Sequence, residues 1–263
     1  MNGYVQDVIM LLGDSLTQGA SDAGGFAQKL SYAYNRKLDV VNRGLSGYNT
    51  KWAIPVFTQC LARRTGTHAD GLFPKVQLLT LWFGANDACL EHSPQHVPLA
   101  DFAENLDTLV RAVRAPGSAH YAPWTRVVLL TPPPVNTRQR GADLAARDPP
   151  RACDRDFEVT RQYAQAVREV GARHRLPVVD VWTMLWEGCG KEEAKLDKYL
   201  SDGLHTNAEA HALIYDGLMK VIAERWPEFS PERLPMVFPP WDQVITNPSL
   251  EKRVLFKEAS LRD

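Results

Sequence analysis

The chain has 263 residues, of which 44% are apolar and 23% charged, and a formal net charge of −1. That length suits one α/β domain with its own core, without disulfide staples. The near-neutral balance excludes a strong long-range pull toward nucleic acid or an anionic membrane surface.

No apolar run reaches the roughly 18 residues that a transmembrane helix needs. The opening Met1-Asn2-Gly3-Tyr4 lacks the basic start and small-residue cleavage site of a secretory leader. Cys60, Cys89, Cys153 and Cys189 are scattered, with no CxxC spacing. They read as reduced thiols, and the expected compartment is the cytosol.

The first apolar run, residues 8–12, is continuous and reads as a buried strand. Gly13-Asp14-Ser15-Leu16 follows it, a strand-to-helix turn that exposes a serine. Phe26, Leu30 and Tyr34 recur at helical spacing. A second strand at 38–41 runs into Asn42-Arg43-Gly44, and a third at 76–83 into Gly84-Ala85-Asn86-Asp87. Phe102, Leu106, Leu109, Val110 and Val113 form a helical stripe, and 127–130 is a fourth strand. Residues 132–154 carry five prolines, several arginines and few large apolar residues, so they read as a long connection. Loops of that length are lids, binding loops or disordered segments. Tyr163, Val167 and Val170 mark another helix, and 178–181 a fifth strand.

Thr206-Asn207-Ala208-Glu209 reads as a capping box, with Thr206 at N-cap and Glu209 at N3. Ala210, Leu213, Ile214, Val221 and Ile222 then supply a buried face, and Pro227 stops the helix. Strands alternating with helices predict a three-layer α/β/α domain over 1–226, with a five-stranded parallel sheet. The extension 227–263 contains the apolar stretch Leu234-Pro235-Met236-Val237-Phe238-Pro239-Pro240-Trp241. It can cover the chain's own core, border the pocket, or dock on a second subunit as a homodimer.

Sites in such folds form outside the carboxyl ends of the strands. Ser15, Gly44 and Asn86 each follow a strand end, and Asp202-Gly203-Leu204-His205 precedes the last helix. Together they match acyl transfer. A serine hydroxyl needs an adjacent base, for which His205 is the candidate. Asp202, three residues earlier, can orient the imidazole and stabilise its cation. The backbone N–H groups of Ser15 and Gly44 and the Asn86 amide can donate to the developing oxyanion. Singly, each block has a plainer explanation: a helix cap at Ser15, turn glycines at 44 and 84, an Asx turn at 86–87. Asp14 reads as a brace for its turn. Four blocks in order, each at a strand end or helix start, point to a site.

These blocks resemble those of the SGNH, or GDSL-type, hydrolase superfamily. The likeness runs from about residue 8 to about residue 226. It implies a flavodoxin-like fold, a metal-independent hydrolase without cofactor, a triad of Ser15, Asp202 and His205, and an oxyanion hole of Ser15, Gly44 and Asn86. Within that group the chain is most similar to isoamyl acetate-hydrolysing esterases. Residues 13–19, 42–50, 83–88 and 201–205 and the Pro-Pro-Trp of the extension carry this likeness.

The expected substrate is a small ester, such as a short-chain acetate ester, hydrolysed through an acyl-enzyme. An alcohol acceptor, a thioester or a sugar acetate would use the same residues. Leu45, Tyr48, Phe83 and Leu90 are expected to shape the substrate pocket. Cys89 reads as a small buried residue. His92 and His96 have metal-ligand spacing, but no third ligand lies nearby and Pro94 disfavours a regular helix, so no metal is expected.

Overall fold

The structure is a computed structural model that describes residues 6–63 and 74–250. The opening residues read for a leader, and 251–263 of the extension, lie outside the described residues. In chain order the elements are β1 (Asp7–Gly13), α1 (Ser15–Gly19), α2 (Phe26–Ala33), β2 (Leu38–Gly44), α3 (Thr50–Cys60), β3 (Val76–Trp82), α4 (Leu99–Arg114), β4 (Arg126–Leu130), α5 (Thr137–Ala145), α6 (Phe157–His174), β5 (Val178–Val179), α7 (Val181–Gly188), α8 (Ala208–Arg225) and α9 (Trp241–Thr246).

The strands form one parallel five-stranded sheet in the order β2-β1-β3-β4-β5. Its central strands are apolar on both faces because helices cover both. Ile9 and Leu11 of β1 face one cluster, built with α2, α7 and α8. Met10 and Leu12 face the other, built with α3, α4 and α6. From β1 the chain steps to β2 on one side and then crosses to β3 on the other, so the topological switch point lies between the carboxyl ends of β1 and β3, with that of β2 beside them. Register brings those ends level: Gly13 pairs with Gly44 on one side and Trp82 on the other.

The strand at 178–181 is shorter than expected and ends at Val179. Asp180 instead caps α7, accepting from Thr183 N at 3.2 Å, and pairs with Arg168 at 2.8 Å. The connection 132–154 is not structureless. It contains α5, capped by Asn136, whose Oδ1 accepts from Gln139 N at 3.0 Å. Its buried residues are Arg140 and Leu144, so the helix hides a charged side chain rather than an apolar stripe. A pattern search for hydrophobic periodicity does not register such a helix.

At α8 the cap is Asn207, not Thr206. Asn207 Oδ1 accepts from Glu209 N at 3.0 Å and Ala210 N at 3.2 Å. Thr206 is held in an antiparallel bridge with Leu200, which leaves the capping position to its neighbour. The buried face is Ala210, His211, Ile214, Leu218 and Ile222, while Leu213 and Val221 are half-buried.

The extension lies first against α2 and its C-terminal turn. Phe229, Leu234 and Val237 are buried. Tyr34 Oη donates to Phe229 O at 3.0 Å, and Val237 N donates to Arg36 O at 2.9 Å. Beyond them, Trp241 and Ile245 of α9 are exposed. Among the described residues, no helix is long and apolar enough to cross a membrane.

Candidate active site

Ser15 is the first residue of α1, directly after β1 and the capping residue Asp14. The first residues of a helix have no intrahelical acceptor for their N–H groups, so the Ser15 N–H points out at the helix start. Asp14 braces the turn as expected: its Oδ1 accepts from Leu16 N at 2.9 Å. Its carboxyl is fully buried, and burial pushes it up to about 7 against that hydrogen bond.

His205 arrives from the other end of the chain. Its Nε2 lies 3.0 Å from Ser15 Oγ, and its Nδ1 lies 2.8 Å from Asp202 Oδ2. With the Nδ1 proton on the Asp202 side, Nε2 is an acceptor for the serine hydroxyl. The turn that carries both residues is tight. Asp202 Oδ1 accepts from His205 N at 2.8 Å and Leu204 N at 3.0 Å. Burial works to raise the Asp202 carboxyl. Hydrogen bonds from the His205 ring and from the backbone N–H groups of His205 and Leu204 outweigh it and hold the group well below the usual carboxylate range. Gly203 makes this turn possible. Its φ is +84°, and a Cβ there would sit 2.4 Å from Arg140 N. That close approach seats the turn on the start of α5, where Asn136 N donates to Gly203 O at 2.9 Å.

Gly44 also sits where a side chain has no room. A Cβ would meet Gln18 N at 2.0 Å, so β2 is pressed directly onto α1. Its N–H donates to Asn42 Oδ1 at 2.8 Å, which engages its single hydrogen. Asn42 is in turn tied to α1 through Thr17 O at 2.7 Å. Asn86 is buried beyond β3, and its Nδ2 donates to Tyr48 O at 2.9 Å. An amide nitrogen carries two hydrogens, so one remains for a ligand. Asp87, behind it, is buried and raised to about 6 by that burial, against hydrogen bonds from Thr50.

A cavity of about 230 Å³ opens beside Ser15 and His205, walled by Gln18, Asp22, Ser201, Thr206 and His211. His211 is buried, and that burial lowers it to about 4, against the raising influence of Asp22. Of the four residues expected to shape the substrate pocket, none walls this cavity. Phe83 is a correction: it is 1% exposed and packed in the core cluster with Phe102 and Leu106, so it has no surface to offer a substrate. Leu45, Tyr48 and Leu90 are half-buried near the strand ends. Leu45 N donates to Gly13 O, and Leu90 N to Asp154 O. Cys89 is fully buried, as expected.

Two arginines were not expected here. Arg140 Nη1 donates to Asp202 Oδ2 at 2.7 Å from a side chain that is 6% exposed. Arg155 reaches Asn86. Arg140 lies in the connection 132–154, whose sequence shows scattered charge and proline, and Arg155 directly follows it. The only linear signal is the density of arginines, which does not distinguish these two from Arg138, Arg147 or Arg151.

Comparison with known proteins gives a consistent picture. The model of the GDSL-like lipase/acylhydrolase family matches residues 11–213. A GDSL esterase/lipase of Arabidopsis thaliana is 33% identical over 241 residues, covering 88% of this chain and 90% of its own. The isoamyl acetate-hydrolyzing esterase 1 homolog of Bos taurus is 31% identical over 245 residues, covering 90% of this chain and 87% of its own. Among solved structures, the lipase/acylhydrolase from Enterococcus faecalis superposes with a TM-score of 0.58 at 25% identity, over 83% of this chain and 96% of that one.

Proposed function

The chain belongs to the GDSL-like lipase/acylhydrolase family and is a carboxylic ester hydrolase; from that premise we propose that Ser15 is its nucleophile and short-chain acetate esters of small alcohols its substrates. The unbroken chain Ser15 Oγ–His205–Asp202, with contacts of 3.0 and 2.8 Å, carries the reading. The likeness to isoamyl acetate-hydrolyzing relatives supports the substrate class. Four free cysteines fit the cytosol as compartment.

In the first half-reaction Ser15 Oγ attacks the ester carbonyl carbon as His205 Nε2 takes the hydroxyl proton. Asp202 keeps the ring oriented and balances its charge. The carbonyl oxygen becomes an oxyanion that receives the Ser15 N–H and the free Asn86 hydrogen. Gly44 donates less, because Asn42 Oδ1 competes for its hydrogen. The tetrahedral centre then collapses. The C–O bond to the alcohol breaks, the alcohol leaves with the proton from His205, and the acyl group stays on Ser15. Water, deprotonated by His205, attacks the acyl-enzyme, and the acid is released as Ser15 recovers its proton.

Ser15→Ala is expected to lower kcat by roughly 10⁴- to 10⁶-fold and to abolish labelling by a fluorophosphonate. Hydrolysis at the parental rate would end the proposal. A panel of p-nitrophenyl esters from C2 to C12 checks the acyl side, with maximal kcat/KM expected at C2–C4.

The polar walls of the 230 Å³ cavity favour a second reading, in which the alcohol part of the ester carries hydroxyl groups. A kcat/KM for glycerol monoacetate or an acetylated sugar well above that for isoamyl acetate would select it.

A further inference from the structure

Asn86 is the site residue whose effect depends on which end of its side chain faces the reaction. Turned over, its amide would present an acceptor where a developing oxyanion needs a donor. Two contacts fix the amide: Nδ2 donates to Tyr48 O at 2.9 Å, and the oxygen is held from the other side. Asn86 Oδ1 accepts from Arg155 Nη2 at 3.1 Å. The same guanidinium donates from Nε to Ala85 O at 2.8 Å. One rigid fork therefore holds the backbone of residue 85 and the side chain of residue 86 together.

The arginine is itself held. Its side chain is 1% exposed, and its Nη1 pairs with Asp154 Oδ2 at 2.8 Å. An antiparallel bridge between Cys89 and Arg155 and the bond from Leu90 N to Asp154 O clamp its backbone to the segment just after Asn86. Asp154 Oδ1 lies 3.6 Å from Arg140 Nε, and Arg140 holds Asp202. One short segment thus touches both halves of the site. Burying a guanidinium is costly unless its donors are used, and an apolar side chain would fill the space at less cost. A use for this guanidinium lies in what it holds.

We infer that Arg155 is a positioning residue for the oxyanion amide: it keeps Oδ1 of Asn86 engaged so that Nδ2 is the end left to donate. This rests on the reading of Asn86 as an oxyanion donor, and the test separates the two. Lysine at 155 keeps the charge but, as a point donor, cannot span Ala85 O and Asn86 Oδ1 as the fork does.

The measurement is steady-state hydrolysis of p-nitrophenyl acetate by the parent, Arg155→Lys, Asn86→Ala and the double variant. Each rate is divided by the serine titrated with a fluorophosphonate, so that misfolded protein does not count. Asn86→Ala is expected to lose about 10²- to 10³-fold in kcat. Arg155→Lys should lose about 10- to 100-fold in kcat, with KM changed less than about twofold. The double variant should be no slower than Asn86→Ala alone, because an arginine that acts through the amide has nothing to position once the amide is gone. If Arg155→Lys does not fold, Arg155→Met, which keeps most of the volume, runs the same cycle. Losses that multiply in the double variant, or parental kcat in the 155 variant, would overturn the inference while leaving Asn86 in place. Parental kcat in Asn86→Ala would overturn the oxyanion reading and this inference with it.

Discussion

At Asp14 the geometry that aims the serine also buries a carboxyl. The group accepts one backbone hydrogen bond and keeps its other oxygen, Oδ2, without a partner. Folded, it holds its proton up to about pH 7, whereas an unfolded aspartate loses it near 4. Between those values the native state binds more protons than the unfolded one, so this residue's contribution to stability falls as pH rises through the window. Asparagine keeps the acceptor for Leu16 N and has no charge to desolvate. Asp14→Asn is therefore expected to raise the melting temperature at pH 8 but to leave it nearly unchanged at pH 4. Equal shifts at the two pH values would show that the buried charge is not the cause. Asp14 thus has a structural role beside the proposed nucleophile, bracing the turn at the expense of alkaline stability.

Among the elements, the start of α8 matters because it follows His205 by three residues. Asn207 accepts from two backbone N–H groups there, and its own Nδ2 donates to Lys198 O at 2.8 Å. Asn207→Ala should cost about 1 kcal/mol and lower the melting temperature by roughly 2–4 °C. Thr206→Ala should cost less than half of that, since Thr206 caps nothing. Scanning calorimetry on the two variants distinguishes them, and a larger loss at Thr206 would return the cap to the position expected from the capping-box spacing. The helix also shows how a site bends a pattern. His211, on the buried face, packs against the rings of Phe26 and Trp82 and walls the cavity beside Ser15.

For the whole molecule, the extension adds to the chain's own packing. Its apolar part as far as Val237 lies on the chain's own α2 side, and Phe229 and Leu234 belong to the core cluster there. Burying a side chain of this size is worth about 1.5–3 kcal/mol. A chain ending at Trp226 should therefore lose several kcal/mol and melt well below the parent. Trp241→Ala combined with Ile245→Ala should melt close to it, because α9 buries none of its residues. Thermal melts of the truncation and of the double substitution decide this. Unchanged stability in the shorter chain would mean that the extension is not part of the core.

The sequence by itself determined the layers of the fold and the four blocks of the candidate site. Buried parallel strands need continuous apolar runs, and a residue at a strand end is carried to the sheet edge wherever the strand lies. Ser15, Gly44, Asn86 and His205 were legible for that reason, since each is tied to an element boundary. Only the tertiary structure decided the rest. Arg140 and Arg155 act across 62 and 69 residues of chain, and nothing local marks one arginine among several as the buried one. Phe83, expected to shape the pocket, is packed into the core instead. Hydrophobic period and turn chemistry, the bond from Gly44 N to Asn42 Oδ1 two residues away included, are local and can be read along the chain; charge pairing and burial depend on what lies opposite, which only the folded packing supplies.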